Sequence, residues 1–113
     1  MKKNQKVDIL GTQYTITESD SEQDELLNNA DGYCDKTTHK IVITTPTQDC
    51  SLGDWKQYRK KLLRHEIIHA FLFESGLHEN FKHEQWGHDE TQIDWFASQY
   101  PKIAKVFKAV GCE

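Results

Sequence analysis

The segment Arg64-His65-Glu66-Ile67-Ile68-His69-Ala70 constrains this chain more than any other feature, because it places the pattern H-E-x-x-H inside an apolar run. On an α-helix, residues four apart lie on one face, one turn above the other. His65 and His69 can therefore offer two imidazole nitrogens to one metal ion. Glu66 lies on the flank of that face, where a carboxylate can take a proton from an attacking water. The motif predicts a zinc-dependent hydrolytic site.

The residues around the motif have the periodicity of a long helix. Apolar side chains recur at three- and four-residue steps, which predicts one helix over residues 54–75, and Gly76 is a natural C-terminal stop. After His65 the pattern is apolar nearly all round, which is typical of a buried helix. The recurring positions are Trp55, Tyr58, Leu62, Leu63, Ile67, Ala70 and Phe71.

The N-terminal part has the short alternating segments of a small sheet. Residues 7–10 and 13–16 flank a Gly-Thr pair, which favours a tight hairpin. Residues 32–35 and 40–45 read as two further strands joined by a polar turn. The acidic residues 19–31 hold either one short helix or a loop.

A C-terminal helical part completes the predicted domain. A second helix begins near Asp89, whose carboxylate suits an N-cap, and Pro101 can break this helix and open a last one. We predict a single α+β domain over residues 1–113, in which a small N-terminal sheet covers the buried helix. The predicted inward positions are Ile93, Phe96, Ala97 and Tyr100, followed by Ile103, Val106, Phe107 and Val110.

Composition narrows the class of protein. With 14 Lys and Arg against 18 Asp and Glu, the net charge of −4 argues against nucleic acid as a partner. No apolar run approaches the roughly 20 residues that a membrane span needs, and residues 1–10 have no apolar core of a signal peptide. Cys34, Cys50 and Cys112 are odd in number and far apart, which predicts three free thiols and a cytoplasmic location.

A catalytic zinc site needs a third protein ligand and one position left for water. The metzincin pattern would place Gly at position 72 and His at position 75, where this chain has Leu72 and Ser75. Glu74 lies too close to the end of the first helix to fold back. Glu90, at the start of the second helix, is the better candidate, although stabilisation of the helix N-terminus is an alternative role for it.

Asp94 lies one turn after Glu90 on the same face of the second helix. It can accept the N–H of the far nitrogen of a ligand histidine and thereby fix the ring, unless it belongs to a solvated face. A second donor to the reacting carbonyl oxygen is expected by analogy, and the choice among its candidates stays open. These candidates are His78, His83, His88 and Tyr100.

The pattern H-E-x-x-H followed about twenty residues later by E-x-x-x-D resembles the gluzincin metallopeptidases. Within that group, residues 90–97 resemble the E-x-x-A-[ND]-x-F-A segment of the ImmA/IrrE-like peptidases, with Ile93 where many relatives have Ala. The resemblance covers roughly residues 30–100. It implies an intracellular protein associated with phages or mobile elements. The implied roles are zinc ligands for His65, His69 and Glu90, general base for Glu66, and support of a ligand for Asp94.

The expected function is a zinc-dependent peptidase that acts on a protein or peptide. An extended substrate is expected to pair with a sheet edge beside the cleft, for which residues 32–35 are the candidate, because a glycine lets another backbone approach. A non-catalytic, zinc-stabilised binding module is the main alternative. Hydrolysis of a non-peptide amide is another, although the residues around Cys50 do not match the cysteine pattern of deformylases.

Overall fold

The computed structural model describes residues 4–46, 52–76 and 88–110, the last without the side chains at positions 106, 107 and 110. It has a four-stranded mixed sheet and two long helices, which confirms the predicted α+β class. Neither long helix in these ranges is apolar enough to cross a membrane. The elements are β1 (Gln5–Ile9), β2 (Thr12–Ser19), a short 3-10 helix (Glu25–Asn28), β3 (Gly32–Asp35), β4 (Lys40–Thr44), α1 (Trp55–Ser75) and α2 (Glu90–Val110).

The sheet has the strand order β1-β2-β4-β3. β1 and β2 form the predicted hairpin, but its turn is at Leu10 and Gly11, one residue earlier than expected. Their φ angles of 50° and 92° are both positive, as a tight hairpin turn that follows the strand twist requires. β2 pairs with β4 in parallel and β3 pairs with β4 in antiparallel orientation. β3 is therefore an edge strand, as predicted.

The core lies between the sheet and α1. Tyr14 and Ile16 of β2 and Ile41 and Ile43 of β4 point to one face of the sheet and are almost completely buried. On α1 the matching ridge is Leu62, Glu66 and Ala70, each four residues from the next. Glu66 thus occupies a position that the fold would normally give to an apolar side chain. The buried residues of this core are Ile9, Tyr14, Ile16, Ile41, Ile43, Leu62 and Ala70.

Both predicted ends of α1 are confirmed. The Asp54 carboxylate accepts a hydrogen bond from the backbone N–H of Gln57 at 3.1 Å. Gly76 has a φ of 84°, and its N–H donates to the carbonyl of Phe73. The prediction that the helix is buried all round is wrong, because Phe71 is 41% exposed. Among the described elements, the sheet and α2 each pack against α1, and Phe71 lies away from both contacts.

α2 begins as predicted, because the Asp89 carboxylate accepts from the N–H of Thr91 at 2.9 Å. The predicted break at Pro101 is wrong, and one helix continues to Val110. Pro101 has no N–H to donate to the carbonyl of Ala97. That carbonyl instead accepts a hydrogen bond from Arg64 Nε on α1, at 2.6 Å.

α2 packs mainly against α1, through a narrow ridge. Ile93 and Ala97 are buried as predicted. The inward assignment of Phe96 and Tyr100 is wrong, since they are 39% and 47% exposed. Because α2 packs mainly against one helix, it buries only one ridge of side chains. The apolar positions in its sequence span a wider face than the one that is buried. Of the later predicted positions, Ile103 is half-buried and the other three fall outside the described side chains.

Candidate metal centre

The pairing of α1 and α2 brings Glu90 against both histidines of the motif. Glu90 Oε2 lies 3.1 Å from His65 Nε2, and Glu90 Oε1 lies 2.8 Å from His69 Nε2. One nitrogen of each ring and one carboxylate oxygen all lie within 4.8 Å of one another. The helix spacing of four residues explains the histidine pair, and the approach of α2 supplies the carboxylate.

This group of side chains fits a zinc ion. Two imidazoles and one carboxylate form a ligand set that catalytic zinc uses. Tetrahedral coordination with bonds of about 2.0–2.1 Å separates neighbouring ligand atoms by about 3.3 Å. The two Glu90 contacts, at 3.1 and 2.8 Å, are shorter than this separation, whereas the limit of 4.8 Å for the whole cluster is wider, so the side chains would have to adjust around an ion. Glu90 is 67% exposed while both histidine side chains are largely covered, so the centre is open on the side of α2.

Asp94 is placed behind His65. Its Oδ1 lies 3.4 Å from His65 Nδ1, while the other ring nitrogen faces Glu90. An acceptor at Nδ1 favours the tautomer whose Nε2 lone pair is free for a metal. Lys61 Nζ lies 3.2 Å from the same oxygen of Asp94 and balances its charge. Sequence reasoning missed Lys61, because an isolated lysine on a helix has no distinctive pattern.

His88 occupies the corresponding place behind His69. The two Nδ1 atoms are 3.0 Å apart, and the rings stack at an interplanar angle of 11°. The ring of Phe73 lies 4.6 Å from that of His88. Burial lowers the pKa of His69, which keeps its ring neutral and able to bind a metal. Each histidine of the motif thus has one nitrogen facing Glu90 and the other facing a polar side chain.

Of the candidates for a second donor, neither of the two in the described residues faces the space between His65, His69 and Glu90. Tyr100 lines a separate apolar hollow on the outer side of the helix pair. His88 contacts His69 at Nδ1, the ring nitrogen that does not face Glu90, and His78 and His83 lie outside the described residues. Glu74 is held away from the centre, because its carboxylate accepts from Thr12 Oγ1 at 2.6 Å and from Tyr14 Oη at 2.8 Å.

Cys34 is a free thiol, as predicted. It lies in β3 at the cleft, but it is outside the cluster of potential ligands. Burial raises the pKa of its thiol to about 12, so Cys34 is protonated near neutral pH and is a poor metal ligand. Cys50 and Cys112 lie outside the described residues.

Glu66 lies at the floor of a cleft of about 470 Å³ between β3 and the two helices. It is 6% exposed, and no other charged side chain in the described ranges is buried to this degree. Burial, reinforced by the nearby charge of Glu90, raises the pKa of its carboxyl group to about 7. A carboxyl group with such a pKa can accept and return a proton near neutral pH.

Gly32 makes room for Glu66. A Cβ atom at this position would lie 3.0 Å from the carbonyl oxygen of Val42 and 3.4 Å from Glu66 Cγ. The sequence predicted that a glycine here admits another backbone. Within the folded chain the close approaches come from the backbone of the neighbouring strand and from the side chain of Glu66, and the approach of a substrate backbone stays a prediction.

The raised pKa of Glu66 predicts how pH changes the stability of the metal-free protein. The folded state holds this proton up to pH about 7, whereas the usual pKa is 4.5. The contribution of protonated Glu66 to the free energy of unfolding is therefore complete below pH 4.5 and is lost as the pH rises through 7. Glu66→Gln should stabilise the metal-free protein by about 1–3 kcal/mol near pH 8 and by little near pH 5. Urea unfolding with a chelator present measures this difference, and equal stabilities at pH 8 would contradict it.

Asp94→Asn tests the support of His65. The variant keeps a side chain of similar size but removes the charged acceptor, so zinc affinity should fall by about 10- to 100-fold. Competition with a chelating dye measures the affinity. Glu22→Gln, which neutralises an exposed carboxylate far from the centre, is the control and should change nothing. Unchanged affinity in Asp94→Asn would place Asp94 on a merely solvated face.

In comparisons with known proteins, no protein-family model, no curated protein and no solved structure matched the chain.

Proposed function

We propose that the protein is a zinc-dependent peptidase. The observation that carries this proposal is the buried carboxyl group of Glu66 in the same cleft as His65, His69 and Glu90. His65, His69 and Glu90 can hold the ion, and Glu66 can make the proton transfer that hydrolysis needs. The resemblance to gluzincins of the ImmA/IrrE-like kind supports the same assignment.

The chemistry divides between the ion and the protein. A zinc ion supplies Lewis-acid chemistry, since it polarises a carbonyl group and makes water acidic enough to react near neutral pH. Glu66 accepts the proton of the attacking water and later delivers it to the leaving amine. Asp94 and His88 orient the two histidine rings, and Lys61 balances the charge of Asp94.

The edge strand β3 favours a peptide as substrate. β3 pairs with β4 on one side, and Gly32, Tyr33 and Cys34 line the cleft together with the metal centre. An extended chain laid along this edge would form backbone hydrogen bonds and pass over Glu66. Such an edge offers no comparable advantage to a small amide. We therefore propose a protein or peptide substrate, neither nucleic acid nor membrane being part of the reaction.

The resemblance also suggests the setting in which the enzyme acts. The ImmA/IrrE-like peptidases are intracellular proteins often carried by phages and integrative elements. We propose a cytoplasmic enzyme of this kind, with His65, Glu66, His69 and Glu90 in one α+β domain.

A non-catalytic binding module stabilised by zinc is the competing function. Such a module would need His65, His69 and Glu90, but it would have no use for Glu66. A carboxyl group buried among apolar residues destabilises the fold unless it serves another purpose. The position of Glu66 between Leu62 and Ala70 therefore favours the enzyme.

A cleavage screen tests the proposal. The zinc-loaded protein is incubated with a library of peptides from a digested cell extract, and new N-termini are identified by mass spectrometry. We expect cleavage at defined sites that disappears when a chelator removes the metal and returns when zinc is restored. Full zinc occupancy with no new N-terminus would favour the binding module. Release of small amides or formate without any peptide cleavage would favour a non-peptide substrate.

A further inference from the structure

Arg64 bridges the two helices of the metal centre through an unusual acceptor. Its Nε donates to the backbone carbonyl of Ala97 at 2.6 Å, across the contact between α1 and α2. Backbone carbonyls inside a helix normally accept from the N–H four residues later. For Ala97 that residue is Pro101, which has no N–H.

The chemistry of this contact makes it stronger than an ordinary side-chain hydrogen bond. A partly buried carbonyl without a donor costs stability, and a charged donor gives a shorter and stronger bond than a neutral one. Pro101 thus creates an acceptor on α2, and Arg64 fills it from α1. Pro101 inside the helix costs a backbone hydrogen bond, and Arg64 between the helices needs an acceptor. The Arg64–Ala97 hydrogen bond meets both requirements.

The contact lies next to the metal centre on both helices. Arg64 immediately precedes His65, and Ala97 lies about one turn beyond Asp94 on the buried side of α2. Any sliding or rotation of α2 along α1 would lengthen this bond and move Glu90 away from the histidines. The Lys61–Asp94 pair is a second polar contact between the helices beside the centre.

We infer that Arg64 is a positioning residue, which fixes the register of α2 on α1 through the carbonyl that Pro101 leaves without a helical donor, and thereby places Glu90 and Asp94 opposite His65 and His69. This inference rests on the proposed function for its consequence, the affinity for zinc. The hydrogen bond itself does not depend on that function.

Arg64→Met is the appropriate substitution. The stem of Arg64 borders the apolar hollow that contains Ile67, Phe71 and Tyr100. Methionine keeps this packing and removes the donor. Lys60→Met makes the same change at an exposed neighbour on α1 and serves as the matched control.

A double-mutant cycle with Pro101→Ala tests the role of the carbonyl. In the metal-free protein, Arg64→Met should raise the unfolding equilibrium constant by about 10- to 100-fold. In the Pro101→Ala background, residue 101 has an N–H that can donate to Ala97, so the same change should raise the constant by less than about 3-fold. Equal effects in the two backgrounds, measured by urea unfolding, would overturn the inference.

Zinc affinity tests the positioning. Arg64→Met should weaken zinc binding by about 10-fold or more, in the range of other changes behind metal ligands. The loss should persist in the Arg64→Met/Pro101→Ala double variant, because repair inside α2 does not restore the link to α1. A merely stabilising role predicts that affinity recovers together with stability, and this result would overturn the inference. Lys60→Met should match the wild type in both measurements.

The two proposals fail in distinguishable ways. If the wild-type protein binds no zinc, the proposed function fails, and the unfolding cycle still decides whether Arg64 compensates for Pro101. If the wild-type protein binds zinc and Arg64→Met binds it equally well, the positioning role fails while the metal centre stands.

Discussion

Glu66→Gln should lower the rate of peptide hydrolysis by roughly 10²- to 10⁴-fold, the usual contribution of general-base catalysis. Glutamine has nearly the same shape but accepts no proton in the relevant range of pH. Glu66 is not among the side chains that form the ligand cluster, so zinc content should match that of the wild type. The rate is measured on a peptide found in the cleavage screen, per mole of bound zinc.

Glu74→Gln provides the matched control, because Glu74 is on the same helix but its carboxylate is bound to β2. Its effect on turnover should be small when the folded fraction is taken into account. If wild type and Glu66→Gln cleave the peptide at equal rates, the proposed role of Glu66 is wrong. If Glu66→Gln loses its zinc as well, Glu66 acts on the metal rather than on water.

Replacement of either motif histidine should have the other large effect. His65→Ala and His69→Ala each remove one of the three proposed protein ligands, which should lower zinc affinity on the order of 10²- to 10⁴-fold. The double variant should hold no zinc after dialysis against a weak chelator. Zinc content by elemental analysis and affinity by dye competition measure these changes.

The controls for this prediction use residues of the same type elsewhere in the chain. His39→Asn replaces an exposed histidine in the turn between β3 and β4 and should leave zinc binding unchanged. Glu90→Ala should weaken binding sharply, whereas Glu74→Ala should not. Full zinc retention in the double histidine variant would disprove the assigned site, and the reverse ranking of the two glutamates would move the third ligand to α1.

The features that the sequence predicted well depend on local chemistry. The extent of α1 follows from its apolar spacing and from Asp54 and Gly76 at its ends, and the start of α2 follows from the carboxylate of Asp89. The position of Glu90 opposite the histidines was predicted because carboxylate and histidine pairs at four-residue spacing define one face on each helix. Local periodicity was sufficient for the helix ends, whereas for Glu90 it predicted only the face of α2 and not the contact with α1.

The features that it predicted poorly depend on contacts between distant segments. Pro101 looked like a helix break because the donor that compensates for it, Arg64, is on another helix. Phe71 and Tyr100 looked buried because apolar spacing does not reveal how many neighbours a helix has. The contact of His88 with His69 depends on where α2 begins in space, which no pattern in the sequence determines.

X-ray absorption on the zinc-loaded protein tests the ligand set most directly. With His65, His69 and Glu90 as ligands, the zinc edge should show only nitrogen and oxygen neighbours at about 2.0–2.2 Å, with the multiple-scattering signal of two imidazoles. Glu90→Ala should remove one light-atom neighbour and keep both imidazoles. A sulfur neighbour at about 2.3 Å, or the signal of three or more imidazoles, would contradict the proposed centre.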